Sequence, residues 1–329
     1  MFALRGIAVS LTFFGLFYCL LSALVAVAWR SLRWLRVTEQ SLAALLFAFR
    51  VLPLAASVVI TFAFVVPSFQ LLEPRSLDMD INEGMGAVPV ALGVCALSLI
   101  ACGSFRVFTA QIRTSRVVAR WLEGAHPLKV DAAARVDVQT YTQIDARTVT
   151  FPSRCEAPPL TLVGIRRPRV LVSESTVALL SHDELRVALK HELAHVRSRD
   201  NLKKLVLRFC PFPGMAGLES AWSHAAELAA DDAAVSRLDD AVDLAAALVK
   251  LSRLVPVDAA PLCTVGFVTG SISARVQRLL SWDETAKARA MRIRTWYVVP
   301  SVAALLLCIF ATYGPALSLT HEVTEWLVR

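Results

Sequence analysis

Charge is what this chain lacks over long distances. Gly6 to Trp29 runs 24 residues without Asp, Glu, Lys or Arg, Val51 to Phe69 runs 19, Gly86 to Phe105 runs 20 and Trp296 to Thr320 runs 25. A bilayer core of roughly 30 Å needs about 20 apolar helical residues, so each block is long enough to span one and a purely soluble fold is excluded. Four transmembrane helices are expected, at about 6–29, 48–69, 86–105 and 296–320. Ser41 to Leu72 carries a single charge, Arg50. That stretch overshoots a bilayer, so its first third is expected at or beyond the inner interface, with Arg50 near an edge where it can snorkel.

Paired cysteines are also missing. The chain has seven cysteines and no C-x-x-C, with Cys155, Cys210 and Cys263 scattered outside the apolar blocks. This argues against a disulfide framework and against a cysteine zinc site, and it suits a reducing compartment. Internal repeats and low-complexity tracts are absent too. Ala26-Val27-Ala28 resembles a signal-peptide cleavage site, but the apolar block before it is far longer than the roughly 7–15 residues of such a leader's core.

Hydrophobic residues make up 56% of the chain, mean hydropathy is +0.56 and net charge is +7. The positive charge tracks span ends. Arg30, Arg33 and Arg36 follow the first block, Arg106, Arg113, Arg116 and Arg120 follow the third, and Lys287, Arg289, Arg292 and Arg294 precede the fourth. Positive-inside bias then predicts a multi-pass inner-membrane protein with its N-terminus outside, residues 106–295 in the cytosol and His321 to Arg329 outside. Because the arginines flank spans, no direct nucleic-acid binding is expected.

Inside the cytosolic segment lies His191-Glu192-Leu193-Ala194-His195. On a helix, residues four apart stack on one face about 6 Å apart along the axis, so both imidazoles can reach one metal. Glu192 beside them can take a proton from water. Ser181-His182-Asp183-Glu184 forms a capping box that starts this helix at Ser181. Strand patterns precede it. Val136, Val138 and Thr140 alternate, Thr148 to Phe151 is β-branched, and Leu160 to Val163 with Arg169 to Val172 flank Gly164-Ile165-Arg166-Arg167-Pro168 like hairpin arms. After Pro211 and Pro213, helices are expected from about Met215 to Leu238 and from about Asp239 to Leu254, the latter for packing.

Hydrolytic zinc sites use three protein ligands and one open position. A metzincin continuation is excluded, since Ser198 and Asn201 stand where it needs Gly and His. Glu227 is the best third ligand, because Asp231 follows four residues later and can accept the far ring N–H of a ligand histidine. Glu219 lacks such a partner. His224, one turn before Glu227, is the rival, as a ligand, as an oxyanion donor or substrate contact, or as a plain surface histidine. Asp200 and Asn201, past the motif, could help order the site or merely end a polar turn, and the plain turn is the expectation for both.

These residues carry a resemblance. Three spans, a HELAH domain and a fourth span resemble the BlaR/MecR antirepressor zinc peptidases of the β-lactam sensor-transducer type. Local agreement runs through Leu162-Val163-Gly164, Arg167 to Val172, Ser181 to Leu185, His191 to His195 with Arg199-Asp200, Glu227 to Asp231, Ala274-Arg275-Val276 and Leu279-Leu280. Within the motif region the chain is also similar to the prenyl-protease and heat-shock membrane peptidases. The resemblance implies Zn2+ held by His191, His195 and Glu227, Glu192 as base, and cleavage of the protein itself or of a BlaI-like cytosolic DNA-binding repressor. One departure is expected to matter. Nine residues, His321 to Arg329, stand where the sensors carry a penicillin-binding domain, and no S-x-x-K offers an acylated serine.

The expected fold is therefore a polytopic α-helical membrane protein with four transmembrane helices. Between the third and fourth sits a mainly helical α+β zincin-like metallopeptidase domain. The divisions are 1–105 membrane, 106–295 peptidase, 296–320 fourth helix and 321–329 tail. Peptide substrate is expected to add as a strand near Leu160 to Val172. A quality-control or processing peptidase and a catalytically silent scaffold are the alternatives.

Overall fold

The computed structural model describes residues 2–30, 37–72, 86–122, 126–127, 148–151, 158–254, 265–266, 272–283 and 313–323. Among the described residues, three helices are long and apolar enough to cross a membrane, at Leu4–Ala28, Glu39–Leu72 and Ala87–Leu122. Of the expected fourth span, 296–312 lies outside the described residues, as does the expected strand around Val136 to Thr140.

Helix α1 covers Phe2–Ala28. Helix α2 (Glu39–Ile60) starts where the Thr38 hydroxyl accepts from the amide of Ser41. It passes through a π-helical segment, Thr61–Val65, into α3 (Val66–Leu72). Pro67 explains the irregularity: having no N–H, it gives nothing to the carbonyl of Ala63, four residues back. The Tyr313 hydroxyl donates to that carbonyl instead, at 2.9 Å.

Helix α4 runs 36 residues, Ala87–Leu122, well past the expected end at Phe105. At 1.5 Å per residue it is about 54 Å long, well over the roughly 30 Å of a bilayer core. Trp121 near that end packs on Phe151, Val163 and Leu171. The third span is thus a strut into the sheet.

Among the described residues five strands, the first and last of two residues each, form a sheet in the order β1-β2-β4-β3-β5: β1 His126–Pro127, β2 Thr148–Phe151, β3 Leu160–Val163, β4 Arg169–Ser173 and β5 Val265–Gly266. The expected hairpin forms, with Leu160 opposite Val172 and Val163 opposite Arg169, while β2 joins β4 in parallel. Its turn needs Gly164, whose φ is +89° and whose added Cβ would lie 2.8 Å from the Arg167 carbonyl oxygen. Alternation then divides the sheet's two faces. Val163 and Leu171 meet Trp121, whereas Leu160, Leu162, Val170 and Val172 meet the helices.

Those helices are α5 (Glu174–Leu179), α6 (His182–Ser198), α7 (Asp200–Phe209), α8 (Ala216–Ala234), α9 (Leu238–Ser252) and α10 (Ile272–Leu280). Ala241, Leu244, Leu248 and Leu251 of α9 complete the core against Val187 and Ala188 of α6. Residues 313–323 form a last helix, α11.

The long apolar helices and the helices that follow the sheet share a second core. Val25 of α1, Trp29 just after it, and Ala43 and Leu46 of α2 pack on Met215, Leu218 and Trp222. Gly103 of α4 meets the Phe209 carbonyl so closely that any Cβ would overlap it. Arg50 does not snorkel to water: it is 1% exposed, with Nε 3.0 Å from Glu219 Oε1 and Nη2 on the Cys210 carbonyl. The arginine that looked like an interface marker ties α2 to α8 and to the end of α7.

Candidate metal centre

Helix α6 begins as its capping box dictates. The Glu184 amide donates to Ser181 Oγ at 3.2 Å, and the Ser181 amide donates to Glu184 Oε2 at 2.7 Å. That start sets the phase of the helix, which buries His191 and His195 at 0% and 1% exposure. Their Nε2 atoms face each other at 3.1 Å. From α8, Glu227 reaches the same point, with Oε2 3.6 Å from His191 Nε2 and Oε1 3.7 Å from His195 Nε2. Among the described residues, His191, His195 and Glu227 form the group whose ligand atoms could hold one metal ion, all within 4.8 Å.

Spacing and tautomers fit zinc. Tetrahedral ligands at the usual bond lengths of about 2.0–2.2 Å lie roughly 3.3 Å from one another, close to the separations here. His195 Nδ1 lies 2.7 Å from Asp200 Oδ2, and His191 Nδ1 lies 3.0 Å from Asp231 Oδ1. Carboxylates on both Nδ1 atoms keep a ring proton there, so Nε2 is the nitrogen each ring offers to a metal at the shared point once any second proton has left.

Asp200 corrects the expectation of a plain polar turn. Arg199 adopts φ 56°, ψ 40°, a left-handed conformation that ends α6 and at once restarts the chain as α7. This reversal folds Asp200 back under His195. Its Oδ2 also accepts from Ser198 Oγ at 2.7 Å and its Oδ1 from Lys203 Nζ at 3.1 Å. Burial pushes the Asp200 carboxyl up, but His195 and Lys203 outweigh it and hold it down at about 2. Asn201 is buried as well, its Nδ2 donating to the carbonyls of Leu162 and Gly164 and so pinning α7 to the hairpin. We expect Asp200→Asn to weaken zinc binding by about 10–100-fold, with the fold retained, in chelator competition. Unchanged affinity would remove Asp200 from the centre.

Glu192 is wholly buried, and neither carboxylate oxygen has a hydrogen-bond partner among the described residues. Burial raises its carboxyl to about 7, against the pull of His195 and His191. For His191, burial acts downward but Asp231 and Glu227 prevail, raising the imidazole to about 9. Burial raises Glu227 too, yet His195, His191 and Arg275 bring it below the usual carboxylate range. His224 is exposed, within electrostatic reach of Glu39 at the start of α2. The structure does not bring it to the three ligands.

Arg275 is the residue sequence reasoning missed. From α10 it donates to Asp231 through Nε (2.8 Å) and Nη2 (2.6 Å) and to Glu227 through Nη1 (3.0 Å). Its one signal was Ala274-Arg275-Val276, text shared in the resemblance and given no role.

Buried histidines and a carboxylate converging on one point, backed by further carboxylates and fused to apolar spanning helices, define a membrane-associated metallopeptidase. The comparisons agree. Residues 162–321, from β3 into α11, match Peptidase family M48. No curated protein and no solved structure matches the chain. The family match supports a zinc metallopeptidase, while the antirepressor type rests on the sequence resemblance.

Proposed function

We propose that the protein is an integral-membrane zinc metalloendopeptidase that hydrolyses peptide bonds on the cytosolic side, in regulated cleavage of itself or of a transcriptional repressor. The observation that carries the enzymatic reading is the convergence of His191, His195 and Glu227 beside the buried carboxylate of Glu192, which has no hydrogen-bond partner among the described residues. Zinc bound there would supply the Lewis acidity that polarises a scissile carbonyl and lowers the pKa of water. Glu192 takes the proton of the attacking water and passes it to the leaving amine. Asp200 and Asp231 hold the two imidazoles in the ligating tautomer, and the buried setting strengthens these contacts.

A cytosolic location is supported by the arginines on the C-terminal end of α4 and by the packing of α1's end and α2's start on the peptidase helices. The signalling use is supported by that shared core, through which a change in the spans would reach α8. The family match favours a second reading, a membrane quality-control or processing peptidase with no repressor partner. The test is zinc content and proteolysis of the full chain in membranes, with itself and candidate cytosolic proteins as substrates. About one zinc per chain is expected, with cleavage that chelation stops and zinc restores. A zinc-free active protein would overturn the site. The product fragments separate the readings, since a cleaved repressor supports signalling and misfolded membrane proteins support quality control.

A further inference from the structure

We infer that Arg275 is a positioning residue of this centre, a buried cation that sets the third ligand and the carboxylate behind His191 together; the inference rests on the metallopeptidase reading above. Glu227 and Asp231 stand one turn apart on α8, both buried. Two such carboxylates repel each other, and unaided each would turn away from the other or take up a proton. The guanidinium answers both. Its Nε and Nη2 form a fork on Asp231, and its Nη1 holds Oε2 of Glu227, the oxygen 3.6 Å from His191 Nε2.

One planar group thereby sets the rotamer of the third ligand and, through Asp231, the ring of the first. A lysine could not make this arrangement, because its ammonium is a point donor without a fork.

Docking of α10 is built separately. Leu279 is buried, with Ile272, Val276 and Trp282 against the core that α9 completes. Three residues beyond Arg275, Arg278 pairs with Asp232 on α8 at 2.8 Å, and only its charge acts on Asp231. Arg278 is therefore an internal control: it joins the same two helices and touches neither Glu227 nor Asp231 in these pairs.

The experiment is zinc affinity of the full chain in detergent, by chelator competition, for wild type, Arg275→Lys, Arg275→Met and Arg278→Met. Thermal unfolding of each metal-free protein is measured alongside. Both Arg275 variants are expected to bind zinc about 10–100-fold more weakly, with Arg278→Met within about twofold of wild type. Cobalt(II) in place of zinc gives a second readout, its visible bands moving in Arg275→Lys and staying put in Arg278→Met. If Arg275→Met does not fold, Arg275→Lys, which keeps the charge, decides. Arg275 variants that keep wild-type affinity overturn the inference and leave the metallopeptidase reading standing. So does an Arg278→Met loss as large as that of Arg275→Met, because helix docking alone would then explain both. A wild type that takes up no zinc overturns the reading and the inference together.

Discussion

Glu192→Gln is expected to leave zinc in place and slow peptide hydrolysis by about 10²–10⁴-fold, the usual contribution of a positioned general base. Glutamine keeps the shape of the side chain and removes its capacity to take a proton. Glu192 is not one of the converging ligands, so metal content is expected to stay at the wild-type level. Its placement suits a base: adjacent to His191, wholly buried, and without a hydrogen-bond partner that would hold its oxygens away from a reactant. Burial raises its carboxyl to about 7 without metal. A bound cation pulls the carboxylate down, so the acid limb of the rate profile should fall below that value. The check is product formation and zinc content on the same preparations. A glutamine variant that cuts at the wild-type rate would exclude Glu192 as base, and one that loses its zinc would place Glu192 in the metal shell.

Features set by short-range sequence were legible. The capping box at Ser181 and Glu184, the hairpin about Gly164 and the uncharged blocks within the three long apolar helices all depend on residues within a few positions of one another. The 3.6-residue period brought His191 and His195 together, and the i, i+4 step paired Glu227 with Asp231. What the sequence hid is long-range pairing of charges. Arg50 was read against a membrane edge, because nothing near it in the chain names Glu219, 169 residues later, as its partner. Glu219 was set aside for having no partner one turn on, yet it has Arg50 across the domain boundary. Arg275 reaches its carboxylates over 44 and 48 residues, beyond any periodic pattern. Asp200 was hidden for a local reason: a non-glycine residue in the left-handed region at Arg199 restarts a helix where polar residues suggested only an end. Helix α4 overran its expected limit because arginines end a hydrophobic block without ending a helix, and their own helix propensity is high.

Zinc affinity should climb by about tenfold per pH unit between about pH 7 and 9, about 100-fold in all, and then level off. The reason is His191. Without metal its imidazole is held protonated up to about 9, since Asp231 and Glu227 outweigh the effect of burial. Metal and proton compete for one nitrogen, so below that value each zinc bound must displace a proton, and raising the pH favours the metal. The metal-free fold should respond with the opposite sign. The folded state binds this proton more tightly than the unfolded chain does, so its contribution is fully present below about 6.5 and is lost as pH rises to about 9. Glu192, raised to about 7 from 4.5, acts in the same direction at lower pH. Thermal unfolding of the zinc-free protein should therefore occur at lower temperature at pH 9 than at pH 6.5. Zinc-loaded protein should lack that loss, because the metal takes the proton's place on His191. Asp231→Asn removes the carboxylate beside Nδ1, and the rise in affinity should then finish at a lower pH. A zinc affinity independent of pH between 7 and 9 would show that His191 is neutral before metal binds, and that the carboxylates orient the ring without charging it.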